Sequence, residues 1–129
     1  TLLVPSASHM VGARIEAFFK LQAKMHLRAA SEKYAQALGT DFGRLTIRDT
    51  RSRWGSCTSD GNLMYSWRLV MAPVEVLDYV AAHEVAHRLE MNHSDRFWAH
   101  VARVCPDYVT YRNWLRTDGQ GLHAWRFKV

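Results

Sequence analysis

From Val11 to Leu38 apolar side chains recur at helical spacing through Ile15, Phe18, Phe19, Met25, Ala29 and Ala30, with Gln22 as a polar break. Arg14, Glu16, Lys20, Lys24, Arg28, Glu32 and Lys33 fall on the other faces. The pattern predicts one long amphipathic helix, closed by Gly39, whose missing Cβ suits a left-handed cap. Beyond it the period shortens. Leu45-Thr46-Ile47-Arg48 and Asn62-Leu63-Met64-Tyr65 alternate as strands do, and Ser59-Asp60-Gly61-Asn62 is a tight-turn signal, because Asp-Gly supplies positive φ. Arg51 to Cys57 is expected to pair with its neighbours, giving a small, mostly antiparallel sheet of about three strands. Its cleft edge would be either Arg51–Trp54 or the segment Leu63–Tyr65. Trp54 and Trp67 are expected to pack the sheet on the helices, and Arg53 and Arg68 to hold carboxylates.

Helical spacing returns at Pro73, which fits a first turn, with Glu75 favouring the positive end. Val76, Val80, His83 and His87 share one face, while Leu77, Ala81, Val85 and Leu89 fill adjoining positions, so this helix should be mostly buried. A further helix is expected from Ser94 to Val104, with Phe97, Val101 and Val104 as its stripe, stopped by Pro106. Asp107 to Leu115 reads as a last short helix, Asp118-Gly119-Gln120-Gly121 as a turn, and Trp125-Arg126-Phe127 as an extended end. Residues 1–10 carry no periodicity, and Ser8-His9-Met10 looks like a remnant of recombinant expression; they are expected to be disordered or foreign, and 11–129 to be one domain. The fold class is α+β.

Composition narrows the function. A chain of 129 residues, 48% hydrophobic and 22% charged, can bury a real core. The formal net charge of +5 favours acidic partners and permits weak nucleic-acid contact, although the basic residues are dispersed. No apolar run approaches the roughly 20 residues of a membrane span, and Leu2-Leu3-Val4 is too short for a signal-peptide core, so a cytoplasmic protein is expected. Cys57 and Cys105 form neither a disulfide framework nor a CxxC pair.

The chemistry concentrates in His83–His93, HEVAHRLEMNH. At about 100° per residue His83 and His87 stand one turn apart on one face, with Glu84 beside them. Two imidazoles can then meet one Zn2+, and the carboxylate can take a proton from water: the arrangement of a zinc hydrolase. His-Glu-any-any-His arises by chance about once in a few hundred chains of this size, so its context matters. A catalytic zinc usually takes a third protein ligand. Glu90 is too near on the same helix, while Asp95, Asp107, Asp118, His93, His100 and His123 are open to the role. His93 fits best, provided the helix ends first, since six helical steps would turn it roughly 120° from the metal face. Met91-Asn92 is the expected place for that end, with Ser94 capping the next helix.

Arg53-Trp54-Gly55-Ser56-Cys57, Trp67-Arg68-Leu69 with Ala72-Pro73, Asp78-Tyr79-Val80, His83-Glu84-Val85-Ala86-His87, Asn92-His93-Ser94 with Phe97-Trp98, and Pro106-Asp107-Tyr108 follow one another in order. Over roughly residues 45–115 this resembles the metallopeptidase domain of the YgjP-like family, small zincins related to the SprT and WLM groups. The resemblance implies a minimal zincin-like fold with a long N-terminal helix, a small sheet, the HExxH helix and C-terminal helices. It also implies His83, His87 and His93 as zinc ligands and Glu84 as the catalytic base of a metallopeptidase acting on peptide or protein substrates. Ser66 stands where the family tends to have Asn, and family members often carry a preceding β-rich portion. Tyr65, His100, Arg53 and Tyr108 are candidates for steadying an oxyanion. Two rival readings follow: a DNA-associated SprT-like protease or nucleic-acid-binding module, and a non-catalytic structural zinc domain closed by a fourth ligand.

Overall fold

A computed structural model describes the backbone of residues 5–50 and 52–124 and the side chains of 12–50 and 52–121; the predicted extended end at Trp125–Phe127 lies outside them. Helix α1 spans Pro5–Leu38, starting earlier than the hydrophobic pattern marks, so Pro5–Met10 continues the helix instead of preceding it. Its buried stripe is Ala23, Leu27, Ala30, Tyr34 and Leu38, at helical intervals of four, three, four and four. Ile15, Phe18 and Met25, expected on the core face, are exposed at 38–59%. Among the described side chains the stripe runs along the C-terminal half of α1, and α1 packs on the helix that bears His83 and His87. Gly39 closes the helix at φ 74°, its N–H reaching Gln36 O while Thr40 N–H reaches Ala35 O.

Three strands follow: β1 (Leu45–Arg48), β2 (Gly55–Cys57) and β3 (Leu63–Ser66), in the order β1-β3-β2. The sheet is mixed where a mostly antiparallel one was expected. The Asp60-Gly61 turn joins β2 and β3 as an antiparallel hairpin, with Gly61 at φ 91°. β1 precedes that hairpin on the chain but lies on the far side of β3, so the crossover brings the two together parallel. Gly61 has a second constraint: an added Cβ would lie 2.5 Å from Arg88 Cζ. Arg88 in turn donates to the carbonyls of Asp41 and Ser59, tying the end of the central helix to the hairpin.

After β3 the chain tightens into a 3-10 turn, Trp67–Met71, capped by Ser66, whose Oγ accepts from Arg68 N–H. That hydroxyl gives Ser66 a defined role without an amide. Trp67 is fully buried, as expected, and stacks on Phe19. Arg68, also buried, donates to Asp49 at 2.9 Å, the carboxylate partner its type predicted. Helix α2 (Val74–Ala86) begins after Pro73, and α3 (Asp95–Val104) after Ser94, whose Oγ accepts from Phe97 N–H. Helix α4 spans Tyr108–Thr117, and the expected turn at Asp118–Gly121 instead opens a short helix, α5 (Gly119–Ala124). The core lies between α1, α2, α3 and the sheet, with Leu27, Tyr65, Leu69, Val85, Phe97 and Val101 all sealed from solvent. No helix among the described residues is long and apolar enough to cross a membrane.

Candidate active site

Helix α2 is buried along most of its length, with Val80, Ala81, Ala82, Val85 and Ala86 at 3% exposure or less. Small residues let it pass close beneath the sheet, so the side chains on its remaining face open into a cleft of fixed shape. His83, Glu84 and His87 occupy that face.

The helix ends at His87, earlier than Met91-Asn92, and no non-glycine described residue has positive φ. Closure comes from tightening: the N–H groups of His87, Arg88 and Leu89 each bond three residues back, to Glu84, Val85 and Ala86. The loop then brings His93 round. The ligand-capable ring nitrogens of His83, His87 and His93 all lie within 4.8 Å of one another.

The donor chemistry suits a metal ion. His87 Nδ1 donates to Glu90 O at 3.0 Å, which fixes its tautomer and leaves the Nε2 lone pair for the recess. His83 Nδ1 meets the Tyr79 hydroxyl at 3.3 Å. Burial first, then the neighbouring His87 and His93, pushes the His83 imidazole down to about 3, and burial likewise lowers His87, so both rings are neutral donors. His83 Nε2 and His93 Nε2 stand 3.4 Å apart. Two nitrogens about 2.0–2.1 Å from one tetrahedral ion would be separated by about 3.3 Å. Phe97, fully buried, stacks on His87 at 4.3 Å between centroids, and Trp98 lies parallel to His93 at 5.9 Å. Among the described residues no fourth His, Cys, Asp or Glu joins this group.

Glu84 lines the same recess, a cavity of about 230 Å3. It is 6% exposed, and burial pushes its carboxyl up to about 8, against an opposing pull from Arg53. β2 passes directly over it: a Cβ on Gly55 would lie 3.0 Å from Glu84 Cγ and 3.1 Å from Oε2. Glycine at that position gives the carboxylate its room. β2 bonds only to β3, so Gly55–Cys57 is the strand edge that borders the cleft; it is neither of the two expected segments, since Leu63–Ser66 is the central strand and residues 52–54 precede β2 outside any strand.

Of the four oxyanion candidates, Arg53 alone lines the recess. Tyr65 is sealed in the core, bonded to Ser31 at 2.8 Å, and Tyr108 is stacked on Trp98. His100 lines neither lobe of the cleft. Trp54, expected in the core, is only half-buried and lines a second lobe of the cleft. Cys57 lines the recess too, its thiol pushed up to about 11 by burial and donating to Thr58 O, which makes it a poor nucleophile. Tyr79, Arg112 and the Glu90 carbonyl had no site role in the sequence, and Phe97 was expected only in the stripe of its helix. The Tyr79–His83 and His87–Glu90 contacts are local, four and three residues apart, so helical spacing could have found Tyr79, whereas Phe97 and Arg112 reach the cleft from α3 and α4.

A family model described as YgjP-like, metallopeptidase domain, matches residues 2–118. No curated protein matches the chain. Among solved structures the fold is similar to the crystal structure of the metallopeptidase zymogen of Pyrococcus abyssi abylysin, with a TM-score of 0.63 and 20% identity over 71% of this chain and 95% of that one.

Proposed function

This chain belongs to the YgjP-like metallopeptidase family, and on that premise we propose that it is a zinc-dependent peptidase in which His83, His87 and His93 hold the ion and Glu84 is the catalytic base. The observation that carries the reading is the convergence of three imidazoles in the recess that Glu84 lines. When bound, zinc supplies an electrophile that polarises the scissile carbonyl and acidifies water. Three nitrogen donors with no fourth protein ligand among the described residues leave a position open, which favours this over a structural zinc site.

Glu84 takes the proton from the attacking water at a carboxylate oxygen and passes it to the departing amine nitrogen. Its burial supports that role, because a carboxylate raised towards neutrality is a stronger base than an exposed one. The free edge of β2 offers backbone donors and acceptors to an extended peptide, a grip that reads little sequence. Arg53, at the rim of the recess, steadies the negative charge that develops on the carbonyl oxygen.

The test pairs metal content by elemental analysis with digestion of a broad peptide library. Wild type should carry one zinc per chain and cleave, whereas Glu84→Gln should keep the zinc and lose about 10²–10⁴-fold in turnover. Full activity in that variant removes Glu84 from the mechanism. The DNA-associated reading draws on Lys20, Lys24 and Arg44, which line a groove along β1. Salt-sensitive binding of DNA by the isolated chain is the result it requires.

A further inference from the structure

The second lobe of the cleft is a cavity of about 350 Å3 that shares Gly55, His83 and Glu84 with the imidazole recess but is not lined by His87 or His93. Trp54, Val80 and Leu115 give it apolar walls. Arg112 and Arg116, one turn apart on α4, present two guanidinium groups to it. Among the described residues Glu84 is the only acidic one lining the lobe, and the ion pairs involve neither arginine. Arg112 is half-buried, with its Cζ 4.7 Å from the centroid of the Trp98 ring. A guanidinium held over a ring can keep N–H donors for a ligand. Arg116 is exposed at the mouth.

Two forked cations facing one carboxylate, which the proposed reaction itself requires, leave a surplus of positive charge in a partly desolvated site. Planar guanidinium matches planar carboxylate through paired charge-assisted hydrogen bonds. The volume lies at the lower end of the about 300–1,000 Å3 typical of ligand pockets, suited to one side chain more than to a length of backbone. Because Glu84 and His83 border both lobes, a group in this one belongs to a residue next to the scissile bond.

We propose that this lobe is a specificity pocket in which Arg112 and Arg116 bind a carboxylate of the substrate, carried by an acidic side chain or by the peptide's own C-terminus. The inference rests on the peptidase reading and extends it to a substrate class.

The experiment compares zinc-loaded wild type, Arg112→Gln, Arg116→Gln and the double variant on peptide pairs that differ only by Glu or Gln beside the cleaved bond. Each pair is made with a free and with an amidated C-terminus. Wild type should prefer the carboxylate by about tenfold or more in kcat/KM. Each single variant should lower that ratio, and the double variant should bring it close to one; a purely structural defect would depress both peptides without moving the ratio. Arg116→Glu should shift preference towards Lys. Preference for internal Glu in amidated peptides assigns the side chain; preference that appears only with a free terminus assigns the terminal carboxylate. The Trp54 indole N–H resonance of metal-free wild type, titrated with the same peptides, gives a second reading without turnover and should show the same order of affinity. A wild-type ratio near one in both measurements, or a preference that survives in the double variant, overturns the pocket assignment. If Glu84→Gln is inactive in that case, the peptidase reading still stands. If no peptide is cleaved, the peptidase reading is the one that fails, and the indole titration alone decides whether the lobe binds carboxylates.

Discussion

In the imidazole recess the working side chains are held from behind: His87 by the Glu90 carbonyl and Phe97, His83 by Tyr79, Glu84 by the backbone of β2. In the arginine lobe next to it, two long side chains reach in from one helix, and among the described residues only Arg112 has a ring to lie against. The two constructions suit the two kinds of binding proposed for them. A metal ion tolerates little error in ligand position, so its donors must be locked before it arrives. A substrate side chain needs charge and a wall, and flexible forks suffice. The first construction costs stability, since it buries a carboxyl and two imidazoles; the second does not.

The comparison can be tested at three points. The largest effect concerns that cost. In the metal-free protein Glu84 has a folded-state pKa raised to about 8 from 4.5, so the folded state holds its proton more tightly than the unfolded state does. The stability this confers is full below about pH 4.5 and is lost as pH rises towards 8. Glu84→Gln removes the ionisable group. Thermal unfolding of the metal-free proteins should therefore show the variant and wild type matched near pH 4 and the variant ahead at pH 8, by on the order of a few kcal/mol. The same gap at both pH values would mean that Glu84 does not tax the fold.

Gly55→Ala comes next. The new methyl would press on Glu84 Cγ and Oε2 and on the Met64 carbonyl, so the carboxylate must move. A displacement of this kind should cost about a hundredfold in kcat/KM while zinc content stays near one per chain. Unchanged kinetics would show that β2 yields more readily than its position suggests. Smallest is Tyr79→Phe, which removes the hydroxyl at 3.3 Å from His83 Nδ1 and should weaken zinc affinity about tenfold, measured by competition with a chelator. An equal or tighter affinity would show that the hydroxyl does not orient the ring.

Much of this was legible in the chain. Local signals gave the long first helix, the Asp60-Gly61 hairpin, the Ser94 cap, and the spacing that puts His83, Glu84 and His87 on one face. Each depends on residues within a turn or two of one another, where propensity and periodicity act. Local signals misplaced what packing decides. Phe18 and Met25 share a helical period with each other, but their face lies roughly 180–200° round α1 from Leu27, and it is the face of Ala23, Leu27, Ala30 and Tyr34 that is buried. Asn92 was a reasonable helix terminator, but the helix had already tightened at His87.

The sequence by itself determined that two imidazoles and a carboxylate would share a helix face and that His93 was the best-placed third donor, because spacing within a helix is a local property. Only the tertiary structure decided that His93 turns back to them, that the edge of β2 covers Glu84, and that Arg112 and Arg116 face the same cleft. Those contacts join segments far apart along the chain, and their geometry is set by how α2, α4 and the sheet pack, which no short window of residues contains.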